Sequence, residues 1–240
     1  MAMKYNAAIV IIGPTGVGKT AVAFELARRA GNGEVINLDT TFLFRHFPIG
    51  TGLADALKEK GVKKHLYELL EPDEAVIPAA TYAGMVRDTC AKILLGEGLP
   101  IIEGGSTTFF PALFDLNSEA KFCQSLIGLT PAPGFDLKEN IIRRVNAMLE
   151  KGLLDEIREG LKKYRDSFIM KTAYCTTPLV PYLEGSVTLE QAKEKIVQGC
   201  LVYAERQLNV FRQYFGITWL EHEPAKLSQT VSKILSLMST

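Results

Sequence analysis

The 240-residue sequence predicts an α/β fold: a P-loop NTPase-like doubly wound parallel sheet with additional C-terminal helices. A β-branched run, Ala7–Ile12, ends on Gly13, as a strand buried on both faces of a parallel sheet does. The loop Gly13-Pro-Thr-Gly-Val-Gly-Lys-Thr20 follows without a gap and opens into a helical pattern. Strand and helix patterns then alternate through Leu129, after which helical periodicity dominates.

The first helix is expected over Lys19–Ala30, with Val22, Leu26 and Ala27 among its spaced apolar positions and Gly31 as its stop. Glu34–Leu38 reads as a second strand ending at Asp39, and Thr40–Gly52, with Pro48, Gly50 and Gly52, has the character of a loop. Ala79–Leu95 has the spacing of an amphipathic helix, and Leu99–Glu103 before Gly104-Gly105 reads as a third strand. Asp115–Ala120 is polar, Cys123–Leu129 is strand-like and Thr130–Gly134 is a turn-rich break. Helices are expected over Leu137–Leu161 with an interruption at Gly152, over Thr188–Tyr214 behind the capping box Thr188-Leu-Glu-Gln191, and around Leu227–Met238. A short strand, Ile217–Leu220, precedes the last of these. With no repeat, low-complexity tract or long linker, residues 1–240 are expected to form one domain, its core over 5–130 and its helical part over 137–240.

Lys plus Arg equal Asp plus Glu at 27 each, so no net positive field attracts nucleic acid or an anionic membrane, and RNA binding requires a local patch. The cysteines Cys90, Cys123, Cys175 and Cys200 are widely spaced without a CxxC pair, which reads as reduced, buried thiols. His46, His65 and His222 have no metal-ligand spacing, so no zinc site is expected. The Ala7–Ile12 run is far shorter than the ~20 residues that span a bilayer. The expectation is a cytoplasmic protein with no membrane partner, a monomer in preference to an oligomer.

The loop matches G-x-x-x-x-G-K-[ST] at every fixed position and lies between a strand and a helix, the context that gives the motif its meaning. The N–H groups of Thr15–Lys19 and the positive end of the helix suit a phosphate, Lys19 adds a point charge, and Thr20 can hold Mg²⁺. Gly13, Thr15, Gly16, Val17, Gly18, Lys19 and Thr20 are therefore the expected phosphate or diphosphate site. At the end of the second strand Asp39 suits either a general base or the N-cap of the segment from Thr40. Glu103 ends the third strand; it suits help to a Mg²⁺ or a substrate, with a cap on the Gly-Gly-Ser-Thr turn as the preferred expectation. Arg143, Arg144, Arg206 and Arg212 lie on long helices, where arginines are mostly solvated or paired at the surface and less often contact phosphate.

Together with the loop, Gly33-Glu-Val-Ile-Asn-Leu-Asp39-Thr-Thr-Phe-Leu-Phe-Arg45-His-Phe-Pro-Ile-Gly-Thr51-Gly resembles the second motif of the tRNA dimethylallyltransferase (isopentenylpyrophosphate transferase) family. The likeness continues through His65-Leu66, Leu70–Asp73, Leu99–Ser106, Gly128–Pro131, Ile142–Val145 with Met148-Leu149 and Gly152–Leu154, and Ala204–Leu208 with Phe211-Arg212. The resemblance implies that the loop, with Mg²⁺ on Thr20, holds dimethylallyl diphosphate while the exocyclic amine of an adenine attacks the allylic carbon and diphosphate leaves. It implies Asp39, Thr15 and Lys19 as catalytic residues, and Thr41, Gly50, Thr51, Gly104, Ser106, Arg206 and Arg212 as acceptor or substrate contacts.

Thr41 stands where tRNA-modifying members usually have Arg, Phe42 stands where Gln is usual, and only a short stretch joins Phe114 to Gly128 where those members carry a helical insertion. Glu103-Gly-Gly-Ser-Thr107 is more similar to adenylate isopentenyltransferases, which also lack the insertion. The implied partners are dimethylallyl diphosphate and tRNA, with a free adenine nucleotide as the alternative acceptor. A P-loop small-molecule kinase that binds ATP, and an inactive family member, remain further alternatives.

Overall fold

The computed structural model of the protein describes residues 7–114 and 123–238; the polar Asp115–Ala120 stretch lies outside them. Strand β1 (Ala8–Ile12) enters first, and every one of its residues is buried. Ala8, Val10 and Ile12 point into one hydrophobic core, whereas Ile9 and Ile11 point into a second. Such burial on both faces explains why the segment is a continuous apolar run rather than an alternating one.

Helix α1 (Lys19–Ala30) follows the loop, then β2 (Gly33–Asn37), and Gly31 closes the helix in the left-handed conformation at φ 79°. The Thr40–Gly52 span, read from sequence as a loop, carries a 3₁₀ turn (Thr41–Leu43) and α2 (Pro48–Thr51), and α3 (Leu53–Lys58) follows it. Phe42, Leu43, Phe44 and Phe47 are buried there, so tertiary contact overrides the Pro and Gly signals. After the two-residue strand β3 (Lys64–His65) come α4 (Ala79–Leu95), β4 (Leu99–Gly104), α5 (Phe109–Leu113) and β5 (Cys123–Pro131).

The C-terminal half begins with α6 (Leu137–Glu150) and α7 (Leu153–Lys163), divided at Gly152 with φ 98°. Short helices α8 (Phe168–Thr172) and α9 (Leu179–Leu183) lead to α10 (Leu189–Phe211), which opens with the Thr188–Gln191 capping box in both directions. The chain returns to the sheet as β6 (Ile217–His222) before α11 (Leu227–Met238).

Among the described residues six strands form one parallel sheet in the order β3-β2-β4-β1-β5-β6. Residues of α1 and α11 fill one core, and residues of α4, α6, α7 and α10 fill the other, which makes the sheet doubly wound. With β1 central, β4 beside it and β2 next, the carboxyl ends of these three strands place Gly13, Glu103 and Asp39 along one edge. Among the described residues no helix is long and apolar enough to cross a membrane.

Candidate active site

A cavity of about 650 Å³ opens over that edge, between the strand ends and the helices of the C-terminal half. Thr15, Gly16, Gly18, Lys19 and Thr20 of the loop line it, together with Asp39, Thr41, Gly50, Thr51, Gly104, Ser106 and Arg206. Three expected site residues lie elsewhere. Gly13 and Val17 are buried beneath the loop, and Arg212 is exposed just past the end of α10, off the cavity wall. Gly13 and Val17 therefore shape the loop from below.

Gly18 precedes α1 at φ 101°, a conformation that side-chain-bearing residues rarely adopt, and a Cβ there would lie 3.1 Å from His222 Nε2. Lys19 Nζ donates to Pro14 O at 2.8 Å across the loop. Burial lowers the Lys19 ammonium to about 8, against the Glu103 and Asp39 carboxylates, which hold it up. Not every loop N–H is free for an anion: Thr15 N donates to Gln207 Oε1 at 2.7 Å, and Val17 N donates to Pro14 O at 3.4 Å.

Asp39 holds the turn that follows it and also lines the cavity. Its Oδ1 accepts from Thr41 N at 2.9 Å and from Thr41 Oγ1 at 2.8 Å, so it caps the 3₁₀ turn while its carboxylate faces the cavity. Thr41, in the position where Arg is usual, thus orients the carboxylate. From behind, Asn37 Oδ1 accepts from Asp39 N at 2.7 Å and Asn37 Nδ2 donates to Leu66 O at 3.1 Å. Asn37 falls inside the Gly33–Asp39 motif, but nothing in the sequence assigns its side chain to the support of Asp39.

Glu103 departs from the turn-cap expectation. It is 1 % exposed, accepts from Thr20 Oγ1 at 3.3 Å and from the Tyr67 hydroxyl at 3.3 Å, and burial raises its carboxyl to about 7. The adjacency of β1 and β4 makes this pair, since it sets the end of β4 beside the loop's Thr20. A buried carboxylate next to a hydroxyl is an oxygen donor set of the kind Mg²⁺ takes, one or two protein ligands completed by phosphate and water. The residues present fit that ion. The turn after Glu103 is held by Ser106, whose Oγ lies 2.8 Å from Thr40 Oγ1 and accepts from Phe109 N at 3.1 Å.

The opposite wall comes from the C-terminal half. Gln207, 1 % exposed on α10, accepts from Thr15 N and donates through Nε2 to Gly105 O at 2.7 Å, tying the phosphate loop to the Gly-Gly turn. Side-chain contact is so close that a Cβ at Gly105 would overlap the Gln207 amide. Asn140 Nδ2 donates to Gly16 O at 2.8 Å, and Glu156 accepts from Ile49 N at 2.8 Å and Gly50 N at 2.7 Å. Arg144 also faces the cavity, its Nη2 donating to Thr51 O at 3.4 Å; the expectation of a surface arginine does not hold for it, because α6 turns this face inward. Arg143 stays exposed and bonds Asn140 Oδ1. The cysteines are all free, but Cys123 and Cys175 are only partly buried, which departs from the expectation of four buried thiols; Cys175 meets Cys200.

The IPP transferase family model matches residues 42–124 and 115–214. The chain belongs to the IPP transferase family. The two matched segments of this IPP transferase meet at 115–124, within the short connection from Phe114 to Gly128. Two relatives are tRNA dimethylallyltransferases. That of Alkaliphilus oremlandii is 25% identical over 284 aligned positions, covering 88% of this chain and 90% of the relative; that of Macrococcus caseolyticus is 27% identical over 298, covering 94% of each. Both alignments are longer than the 240-residue chain, so these relatives carry residues with no counterpart here. The fold is shared with the tRNA isopentenylpyrophosphate transferase of Bacillus halodurans (TM-score 0.81, 24% identity, 98% of this chain and 97% of that one). It is shared too with a eukaryotic dimethylallyltransferase acting on tRNA (TM-score 0.77, 19% identity, 97% and 78%).

Proposed function

We propose that this IPP transferase moves a dimethylallyl group from dimethylallyl diphosphate to the exocyclic amine of an adenine in tRNA. The observation that carries the reading is a single cavity in which the phosphate loop with Lys19 faces the Thr41-oriented carboxylate of Asp39. In the proposed reaction the amine nitrogen bonds to the allylic carbon as the carbon–oxygen bond to diphosphate breaks, and Asp39 takes the amine proton. Lys19, the free loop amides and Arg144 meet the charge that develops on the departing diphosphate, where preorganised donors have their largest effect. Thr20 and Glu103 would hold Mg²⁺, which when bound supplies further positive charge at that diphosphate.

The tRNA acceptor is supported by the names of the relatives and by Arg206, exposed at the cavity's edge, where a phosphate backbone would pass. A free adenine nucleotide is the second reading, favoured by the chain's zero net charge and by the residues it lacks relative to its longer relatives. The protein is incubated with Mg²⁺ and dimethylallyl diphosphate, with unmodified tRNA in one arm and AMP, ADP or ATP in the other. Mass spectrometry of the acceptor is expected to show one added prenyl group in the tRNA arm. A gain confined to the nucleotide arm selects the second reading, and ATP hydrolysis or phosphoryl transfer without prenylation overturns both in favour of a kinase.

A further inference from the structure

Cys175, on the turn between α8 and α9, and Cys200, on α10, bring their side chains together in the wall of one cavity although the chain separates them widely. Independent contacts hold the same seam. The Tyr174 ring lies against Gly199, where a Cβ would come within 2.8 Å of it, and meets the Tyr203 ring at a tilt of 32° with centroids 5.0 Å apart. Both cysteines line the cavity beside Arg144; Cys175 is partly exposed and Cys200 is buried.

The two thiols are not equivalent. The contact with Cys200 and the charge of the Arg144 guanidinium hold Cys175 below the usual thiol range, while the contact with Cys175 and burial push Cys200 up. Thiolate character together with access and a neighbouring second thiol is what makes a cysteine oxidisable. Cys90 and Cys123 differ, because burial pushes each of them up to about 12.

We propose that Cys175 and Cys200 form an oxidation site in the cavity wall, at which Cys175 reacts with a peroxide and Cys200 converts the product to an intramolecular disulfide. The Cys175 sulfur attacks one peroxide oxygen, the O–O bond breaks, and one water leaves, with sulfenic acid on Cys175. Cys200 then attacks that sulfur, the S–S bond forms, and the sulfenic oxygen departs as a second water. Two thiols lose two electrons and two protons, and hydrogen peroxide is reduced to two waters. Shortening the contact to about 2.05 Å draws the Tyr174–Cys175 turn onto α10. That seam carries Tyr174 and Tyr203 into the cavity, and a displacement of about 1 Å beside a reacting geometry costs on the order of 10²-fold in rate. This loss of rate rests on the transferase reading; the crosslink itself does not.

The test uses the reduced full-length protein, treated with hydrogen peroxide and digested without reductant. The expected map holds a Cys175–Cys200 crosslinked peptide lighter by two hydrogens, with Cys90 and Cys123 still open to alkylation after denaturation. A map without that crosslink, or with Cys90 and Cys123 consumed as fast, overturns the proposal. In Cys200→Ser the oxidation should stop at a sulfenic acid on Cys175 that dimedone captures; a dimedone adduct on any other cysteine instead counts against it. Peroxide should lower prenyl transfer by the wild type on the order of 10²-fold, with recovery in dithiothreitol, while Cys175→Ser holds its own untreated rate; an unchanged rate in fully crosslinked protein refutes the effect on transfer. If the reduced protein prenylates no acceptor, the transferase reading fails while the peptide map still decides the oxidation site.

Discussion

Around the cavity, the wall built on the sheet concentrates its chemistry within a few residues of three strand ends, whereas the helical wall gathers single residues spread from Asn140 to Gln207. On the sheet side the backbone does much of the work: a glycine-rich turn, a helix start, and carboxylates placed where parallel strands finish. On the helical side the work falls to long side chains reaching across a gap. Gln207 and Glu156 each bind backbone groups of the opposite wall, so the helices set the spacing of loops they do not belong to. The lesson is that a phosphate site can be local in sequence while the alignment of donor and acceptor across it is not.

The largest effects should come from the sheet side. Lys19→Ala is expected to lower kcat/KM by about 10³-fold with weaker diphosphate binding, read by titration calorimetry alongside steady-state kinetics. Asp39→Ala should leave diphosphate binding intact and lower kcat by ~10²–10⁴-fold. Full turnover in Asp39→Ala would remove its role as the base. Next comes the cross-tie: Gln207→Ala strands Thr15 N and leaves Gly105 O with the Tyr203 hydroxyl at 3.3 Å, with an expected cost of about 1–3 kcal/mol in urea unfolding and about 10²-fold in kcat/KM. A loss of stability without a loss of rate would reduce that residue to a packing role.

Glu156 sharpens the comparison through pH. Burial holds its carboxyl above the ordinary 4.5, in spite of the Gly50 and Ile49 N–H groups that favour its charged form. The folded protein therefore keeps a proton that the unfolded chain releases, and this group's contribution to stability falls as pH climbs from 4.5 through the raised folded value. Glu156→Gln does not titrate, so its melting temperature against pH should be flatter than the wild type's across that window. An identical slope would mean the carboxylate is ionised throughout. The smallest effect separates two arginines of one helix region: Arg206→Ala should weaken tRNA binding and reduce its salt slope by about 1, whereas Arg212→Ala, off the cavity, should change binding by about 2-fold or less.

What sequence could reveal follows the same division. The strand–loop–helix unit was legible because eight consecutive residues specify it, and α10 because Thr188 and Gln191 cap it. Asp39 was legible as a strand-end acid, yet its dual use as cap and cavity carboxylate appears only with Thr41 in place. From sequence Glu103 reads as a turn cap, because nothing local discloses that β4 lies beside β1. Arg144 and Arg143 are adjacent and chemically alike; only the packing of α6 turns one inward. The short helices at Pro48–Thr51 and Phe168–Thr172 escaped notice because their few residues hold shape through tertiary burial rather than propensity.

By itself the sequence determined the fold class, the phosphate loop, the strand-end position of Asp39 and the family likeness, since each rests on residues that are neighbours in the chain or recur with a fixed period. Only the tertiary structure decided the partner of Thr20, the grip of Gln207 on two loops, the inward turn of Arg144 and the meeting of Cys175 with Cys200. These depend on strand order and helix packing, which bring distant residues together through burial of apolar surface that is non-directional and leaves no local signature.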